Sequence, residues 1–260
     1  MREWGEPGGR ALLFWPGLNP WGSLQLVEVG PLLAARGFHV LSIEPPGTTG
    51  ETPPLDDPDG YLPSRLARLV VEVAESRGID RFLYMGHSWG GSIGVHLGAS
   101  QPDRVDGIVL LDGGHVDVTP PLGLRRALVK RFEEEQAGFV FESWDDFLAW
   151  AETRVRSWRP ALEQRYRAGM VERDGKVVAR STPRAAAWAL HGVFREPPTK
   201  AFHRITVPVF LLVAANADPQ VVARFRAAVP HAVVRPVDSG HDVPEDAPEE
   251  LVAFVTEWLS

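Results

Sequence analysis

The 260-residue sequence contains no cysteine, which excludes disulfides, thiol catalysis and cysteine-ligated metals. Lysine is nearly missing as well: only Lys130, Lys176 and Lys200 occur, and arginine carries almost all the positive charge. There is no run of basic residues and the formal net charge is −7. Nucleic acid and anionic membrane both need a positive surface, so neither is an expected partner. No apolar stretch approaches the ~20 residues of a membrane span. The polar start, Met1 to Gly9, lacks the apolar core of a signal peptide. A cytoplasmic location is the expectation, with a small-molecule substrate as partner and the chain a monomer or homodimer. No His-x-x-x-His pair or acidic cluster suggests a metal. The glycines of Gly86–Gly91 have no phosphate-loop lysine, and Glu44 alone makes no dinucleotide site. No metal and no cofactor are expected.

What is present is a rhythm. Apolar runs suited to strands alternate with helical periodicity, which argues for an α/β fold with a mostly parallel, doubly wound sheet. Strand-like runs are Ala11–Trp15, Val40–Ile43, Phe82–Met85, Ile108–Leu111, Val209–Ala214 and Val233–Val237. Helical patterns cover Leu24–Arg36, Leu62–Arg77, the stretch after Gly91 to Ser100, Gln220–Ala228 and Pro248–Leu259. From about Val116 to Arg204 the alternation breaks. That segment reads as helices at Leu124–Gln136, Ser143–Trp158, Pro160–Met170 and Pro183–Val193, with a hairpin turning at Asp174-Gly175. The expected organisation is a core of residues 1–115 and 205–260 with residues 116–204 inserted as a helical cap. Ligands of such sheets bind at the carboxyl ends of the strands.

One of those ends is Gly86-His87-Ser88-Trp89-Gly90, a Gly-x-Ser-x-Gly pattern between strand and helix. A sharp strand-to-helix turn leaves no room for bulky Cβ groups two residues either side of its tip. It exposes the serine hydroxyl and aims the first helical amides at whatever that hydroxyl attacks. A serine hydroxyl is a weak nucleophile without a base, and the base needs a carboxylate to orient it. His241, in Asp238-Ser239-Gly240-His241, follows the last strand and is the candidate base. Asp218, past the end of Val209–Ala214, is the candidate acid, with Asp112 at the end of Ile108–Leu111 as the alternative. Asp218 precedes Pro219, so its plain structural role would be a helix start.

The order Ser, Asp, His and the elbow Gly86-His87-Ser88-Trp89-Gly90-Gly91 resemble the esterase-type members of the α/β-hydrolase superfamily. Phe14-Trp15-Pro16-Gly17-Leu18 stands where that family has its His-Gly-x oxyanion loop, with Pro16 in place of histidine. Glu44-Pro45-Pro46-Gly47-Thr48-Thr49-Gly50 is similar to its Asp-x-x-Gly-x-Gly loop, and Asp112–Arg204 to its lid. The resemblance implies an oxyanion hole from the Leu18 and Trp89 amides, a sheet shortened to about seven strands, and a cofactor-free serine hydrolase of small to medium carboxylic esters. It also leaves open carbon–carbon bond hydrolases, lactonases, perhydrolases, proline iminopeptidases, lyases or synthases, and a non-catalytic small-molecule receptor. Haloalkane dehalogenases and epoxide hydrolases of this fold carry aspartate where this chain has Ser88. Four tryptophans in the cap, Trp144, Trp150, Trp158 and Trp188, lead one to expect an apolar pocket above the serine.

Overall fold

A computed structural model describes residues 1–258; Leu259, expected to end the final helix, lies outside the described residues. The core elements in chain order are β1 (Arg2–Trp4), β2 (Arg10–Trp15), α1 (Val29–Ala34), β3 (Phe38–Ser42), α2 (Pro63–Ser76), β4 (Phe82–His87), α3 (Trp89–Ser100) and β5 (Val105–Leu111). The next stretch holds α4 (Leu122–Ala137), β6 (Val140–Phe141), α5 (Trp144–Glu152), α6 (Pro160–Ala168), β7 (Met170–Arg173), β8 (Lys176–Ala179) and α7 (Pro183–Arg195). The core resumes with β9 (Val209–Ala214), α8 (Pro219–Ala228), β10 (Val233–Val237), α9 (Val243–Asp246) and α10 (Pro248–Trp258).

Seven strands form one sheet in the order β1-β3-β2-β4-β5-β9-β10, parallel except for β1. Alternation along each strand divides the core between the two faces. Leu13 and Trp15 of β2 pack on one side with α2 and α3; Leu12 and Phe14 pack on the other with α1 and α10. The stripe Leu66, Ala67, Val70, Val71, Ala74 on α2 is buried at the spacing of one helix face. Helix α3 is buried almost all round, and Gly94 is the reason it can approach β4: a Cβ there would press on the Tyr84 ring.

The seventh strand, β1, has no counterpart among the strand-like runs of the sequence. Arg-Glu-Trp is too short to show a period, and its partners are distant. Glu3 takes hydrogen bonds from His39 at 2.6 Å and Arg77 at 2.7 Å, and the Trp4 ring fills the space a side chain at Gly30 would need. The expected helix 24–36 is also split, into a 3-10 turn at Gly22–Leu26 and the short α1.

The segment between β5 and β9 packs its own core. Phe147, Leu162, Tyr166 and Met170 are buried there with Trp21 from the loop after β2. Strands β7 and β8 form the hairpin, with Asp174 and Gly175 both at positive φ as a tight primed turn requires. The two-residue β6 joins β8 as a third strand. Among the described residues, no helix is long and apolar enough to cross a membrane.

Candidate active site

β4, the middle strand, delivers Ser88 to the carboxyl edge of the sheet, next to β5. Ser88 sits at φ +51°, a conformation that non-glycine residues rarely hold. Its neighbours hold it there: the Ser88 amide donates to the Leu111 carbonyl at 3.0 Å, and the Gly91 amide donates to the Ser88 carbonyl at 3.0 Å. The glycines are steric necessities. A Cβ on Gly86 would overlap the Gly90 carbonyl, and one on Gly90 would overlap the Trp15 carbonyl.

His241 lies in the loop between β10 and α9, and its Nε2 is 2.9 Å from Ser88 Oγ. On its other side, Nδ1 is 2.7 Å from Asp112 Oδ2. A carboxylate can only accept, so Nδ1–H donates to Asp112 and Nε2 is left to accept from the Ser88 hydroxyl. Burial alone would raise the Asp112 carboxyl, but the His241 hydrogen bond and the Ala214 amide outweigh it and hold it below its ordinary value. The same Asp112 hydrogen bond raises His241, against the opposing effect of desolvation.

The expected acid, Asp218, is elsewhere. Its Oδ1 accepts the Gln220 amide at 2.8 Å as the N-cap of α8, with Pro219 at the first helical position, and no hydrogen bond or ion pair joins it to His241. It borders the cavity without joining the hydrogen-bond chain. The alternative residue, Asp112, occupies that place. Its backbone is itself constrained at φ +40°, fixed by its amide donating to the Leu212 carbonyl at 2.8 Å and by its Oδ1 accepting the Ala214 amide at 3.1 Å. The turn then wraps Ser88 so closely that any Cβ on Gly113 would overlap the serine backbone. The sequence signal was Asp-Gly-Gly immediately after β5: two glycines where the chain has to pass another backbone.

Leu18 and Trp89 both border the same cavity as Ser88, and neither backbone amide has a protein acceptor among the described residues. The loop carrying Leu18 is fixed by a residue the sequence did not single out. Buried Gln25 accepts the Gly17 amide at 3.0 Å and donates through Nε2 to Asp242 at 3.4 Å, so it ties this loop to the one that bears His241. Glu44 is likewise structural: buried, it accepts from Ser23 Oγ at 2.6 Å and Thr48 Oγ1 at 2.7 Å.

His87 does not stand apart from the site. Its Nε2–H donates to the His241 carbonyl at 2.7 Å, and the two rings are 4.9 Å apart. Burial, helped by the nearby His241, pushes His87 down to about 4. A second brace comes from α6 and the turn before it. Arg165 pairs with buried Glu245 at 2.6 Å, four residues past His241, and Arg159 donates to the Glu245 carbonyl at 2.7 Å and to Glu28 at 2.6 Å.

The cavity above Ser88 has a volume of about 450 Å³. Its apolar wall is built from Leu18, Val116, Val118, Leu190, Val193 and Val221. The four tryptophans between β5 and β9 do not border it. Trp144, Trp150 and Trp158 pack, partly buried, against the core of that segment, and Trp188 leans on Tyr61 with ring centroids 6.0 Å apart. The cavity is mostly apolar, as expected, but its apolar lining comes from these aliphatics and Trp89, and not from the tryptophans of that segment.

Comparison with known proteins agrees with this architecture. The model of the alpha/beta hydrolase family matches residues 12–254, and the chain belongs to that family. Among curated relatives it is similar to haloalkane dehalogenase 2 of Mycobacterium bovis (strain ATCC BAA-935 / AF2122/97), 26% identical over 206 residues that cover 76% of this chain and 71% of that protein. Among solved structures it is similar to the thioesterase domain from the curacin biosynthetic pathway, with a TM-score of 0.81, 16% identity, and coverage of 98% of this chain and 93% of that one. It is also similar to the enol-lactonase from Burkholderia xenovorans LB400, with a TM-score of 0.75, 18% identity, and coverage of 99% and 95%. At these identities the structural likenesses speak to the fold.

Proposed function

We propose that the chain is a serine hydrolase of small to medium carboxylic esters with apolar groups, working through Ser88, His241 and Asp112. The observation that carries this reading is the continuous chain of short hydrogen bonds from Asp112 through His241 to Ser88, at 2.7 and 2.9 Å, at the floor of a largely aliphatic cavity. Ser88 Oγ attacks the ester carbonyl carbon as His241 Nε2 takes its proton. Asp112 stabilises the resulting imidazolium. The Leu18 and Trp89 amides hold the oxyanion, each such donor being worth about 10²–10³ in turnover. Collapse of the tetrahedral intermediate breaks the bond to the alcohol, which leaves with the proton from Nε2. Water then gives a proton to the same nitrogen as it attacks the acyl-enzyme, and the acid departs with Ser88 restored. Residues 116–204 serve as the cap over this pocket.

Chemistry separates this reading from the activity named for the dehalogenase relative. Displacement of a halide by Ser88 would make an alkyl ether, which water cannot clear, whereas a carboxylate nucleophile would make a hydrolysable ester. Two measurements test the proposal. A fluorophosphonate probe is expected to add to Ser88, read by peptide mass, and a nitrophenyl ester to give a burst. Ser88→Ala is expected to lose the label and at least about 10⁴-fold of the turnover. An unlabelled wild type that turns over no ester in a chain-length series would refute it.

A further inference from the structure

We infer that His115 is a specificity residue, accepting a hydrogen bond from a neutral donor, a hydroxyl or amide N–H, carried by the acyl or alcohol part of the ester. The inference rests on the ester reading above. His115 follows Asp112-Gly113-Gly114 and is buried, 7% exposed, with its ring edge-on to Phe225 at 6.4 Å. His115 borders the cavity above Ser88, and it also borders a second cavity of about 380 Å³. Val116 and Val221 line both as well, so His115 stands in the partition between two spaces.

Among the described residues, Nε2 of this imidazole has no hydrogen-bond partner and Nδ1 has only an imperfect one. Nδ1 is buried and turned toward the Gly113 carbonyl without closing a well-directed hydrogen bond, and no other partner is present among the described residues. Buried polar atoms in folded proteins are almost always paired, so an unpaired ring at a cavity wall marks a place for a ligand. Burial pushes His115 down, with the Asp112 charge opposing, and the ring is neutral. A neutral imidazole has one N–H and one lone pair. With a carbonyl oxygen beside Nδ1, the proton belongs there and the lone pair of Nε2 is what the ring offers. The Asp112 charge is felt at this ring, so an anion is disfavoured there and a neutral O–H or N–H is welcome.

The test compares nitrophenyl esters of butanoate, its beta-hydroxy analogue and N-acetylglycine, with a parallel series of butanoates of ethanol and ethylene glycol. In wild type, kcat/KM for the donor-bearing member of at least one series is expected to exceed that of its plain partner by about tenfold. His115→Leu is expected to bring that ratio to near unity, and His115→Gln, which keeps an acceptor, to retain part of it. A purely structural role would lower all substrates together and leave the ratios unchanged. Ratios near unity in both series for an active wild type, or ratios that survive His115→Leu, would overturn the inference while leaving the ester reading intact. Failure of every ester would instead sink the ester reading itself.

Discussion

Acid should destabilise this protein through His87, and the size of the effect follows from its surroundings. The ring is buried, its folded value is about 4, and an unfolded chain restores it to about 6.5. As pH falls, the unfolded chain takes up the proton first, so the contribution is fully present above the unfolded value and is lost as pH falls toward the folded one. Over that interval the linkage amounts to about 3 kcal/mol, a large part of the roughly 5–15 kcal/mol that holds a domain folded. Other buried groups also titrate, which is why the comparison has to be made against a variant. In His87→Gln the amide can still donate to the His241 carbonyl that His87 Nε2 reaches at 2.7 Å, but it has no proton to gain. Urea unfolding of both proteins at about pH 7 and about pH 4 reads the difference directly. Wild type is expected to lose about 3 kcal/mol more than the variant over that span. Parallel losses would refute the argument, for they would mean that the ring is charged or hydrated in the folded protein. The effect bears on function too, because a cation 4.9 Å from the His241 ring would oppose its taking the serine proton.

The two carboxylates are separable by mutation. Asp112→Asn is expected to lower kcat by about 10⁴-fold, whereas Asp218→Ala should cost about 1 kcal/mol of stability through the lost cap and leave ester turnover within a few-fold; the reverse pattern in nitrophenyl ester kinetics would restore Asp218 as the acid. The acid limb of kcat/KM against pH should lie above the ordinary histidine value of about 6.5, since Asp112 raises His241, and should move down in Asp112→Asn. Glu245→Gln strands the buried Arg165 guanidinium and is expected to cost about 3–5 kcal/mol in urea unfolding. Gly113→Ala should lose both stability and activity, as its Cβ has no room beside the Ser88 backbone.

The features that could be read from the sequence are those written in adjacent residues. Six of the seven strands, the elbow and the hairpin at Asp174-Gly175 each carry their own local pattern. What escaped is held by contacts between distant segments. Strand β1 is three residues long and is defined by Trp4 on Gly30 and Glu3 on His39 and Arg77. Gln25 joins the loops bearing Leu18 and His241, and no pattern around Gln25 announces it. The carboxylate paired with His241 is the instructive case. Asp112 and Asp218 follow the neighbouring strands β5 and β9, and strand order alone does not choose between them. The neighbours do: Asp218-Pro219 is the start of a helix and uses up its carboxylate locally, while Asp112-Gly113-Gly114 is a turn that must pass against Ser88 and leaves its carboxylate free to meet His241.

That same turn sets three histidines to three different tasks. His241 is tied to Asp112 and half-exposed, so its charged form is favoured and it is suited to carry a proton through the reaction. His87 is buried and kept neutral by desolvation, and its Nε2–H holds the His241 loop by donating to the His241 carbonyl. His115 is next to the same carboxylate, yet burial outweighs that charge and leaves a neutral ring without a partner at the cavity wall. The residue type is constant, so the differences come from desolvation and from the direction in which each nitrogen faces. Asp112 touches only one of the three, through its Oδ2, because its Oδ1 is already taken by the Ala214 amide. Replacing it should therefore change the proton affinity of His241 most, that of His115 in the same downward direction, and that of buried His87 least, an order that histidine titrations by NMR can check.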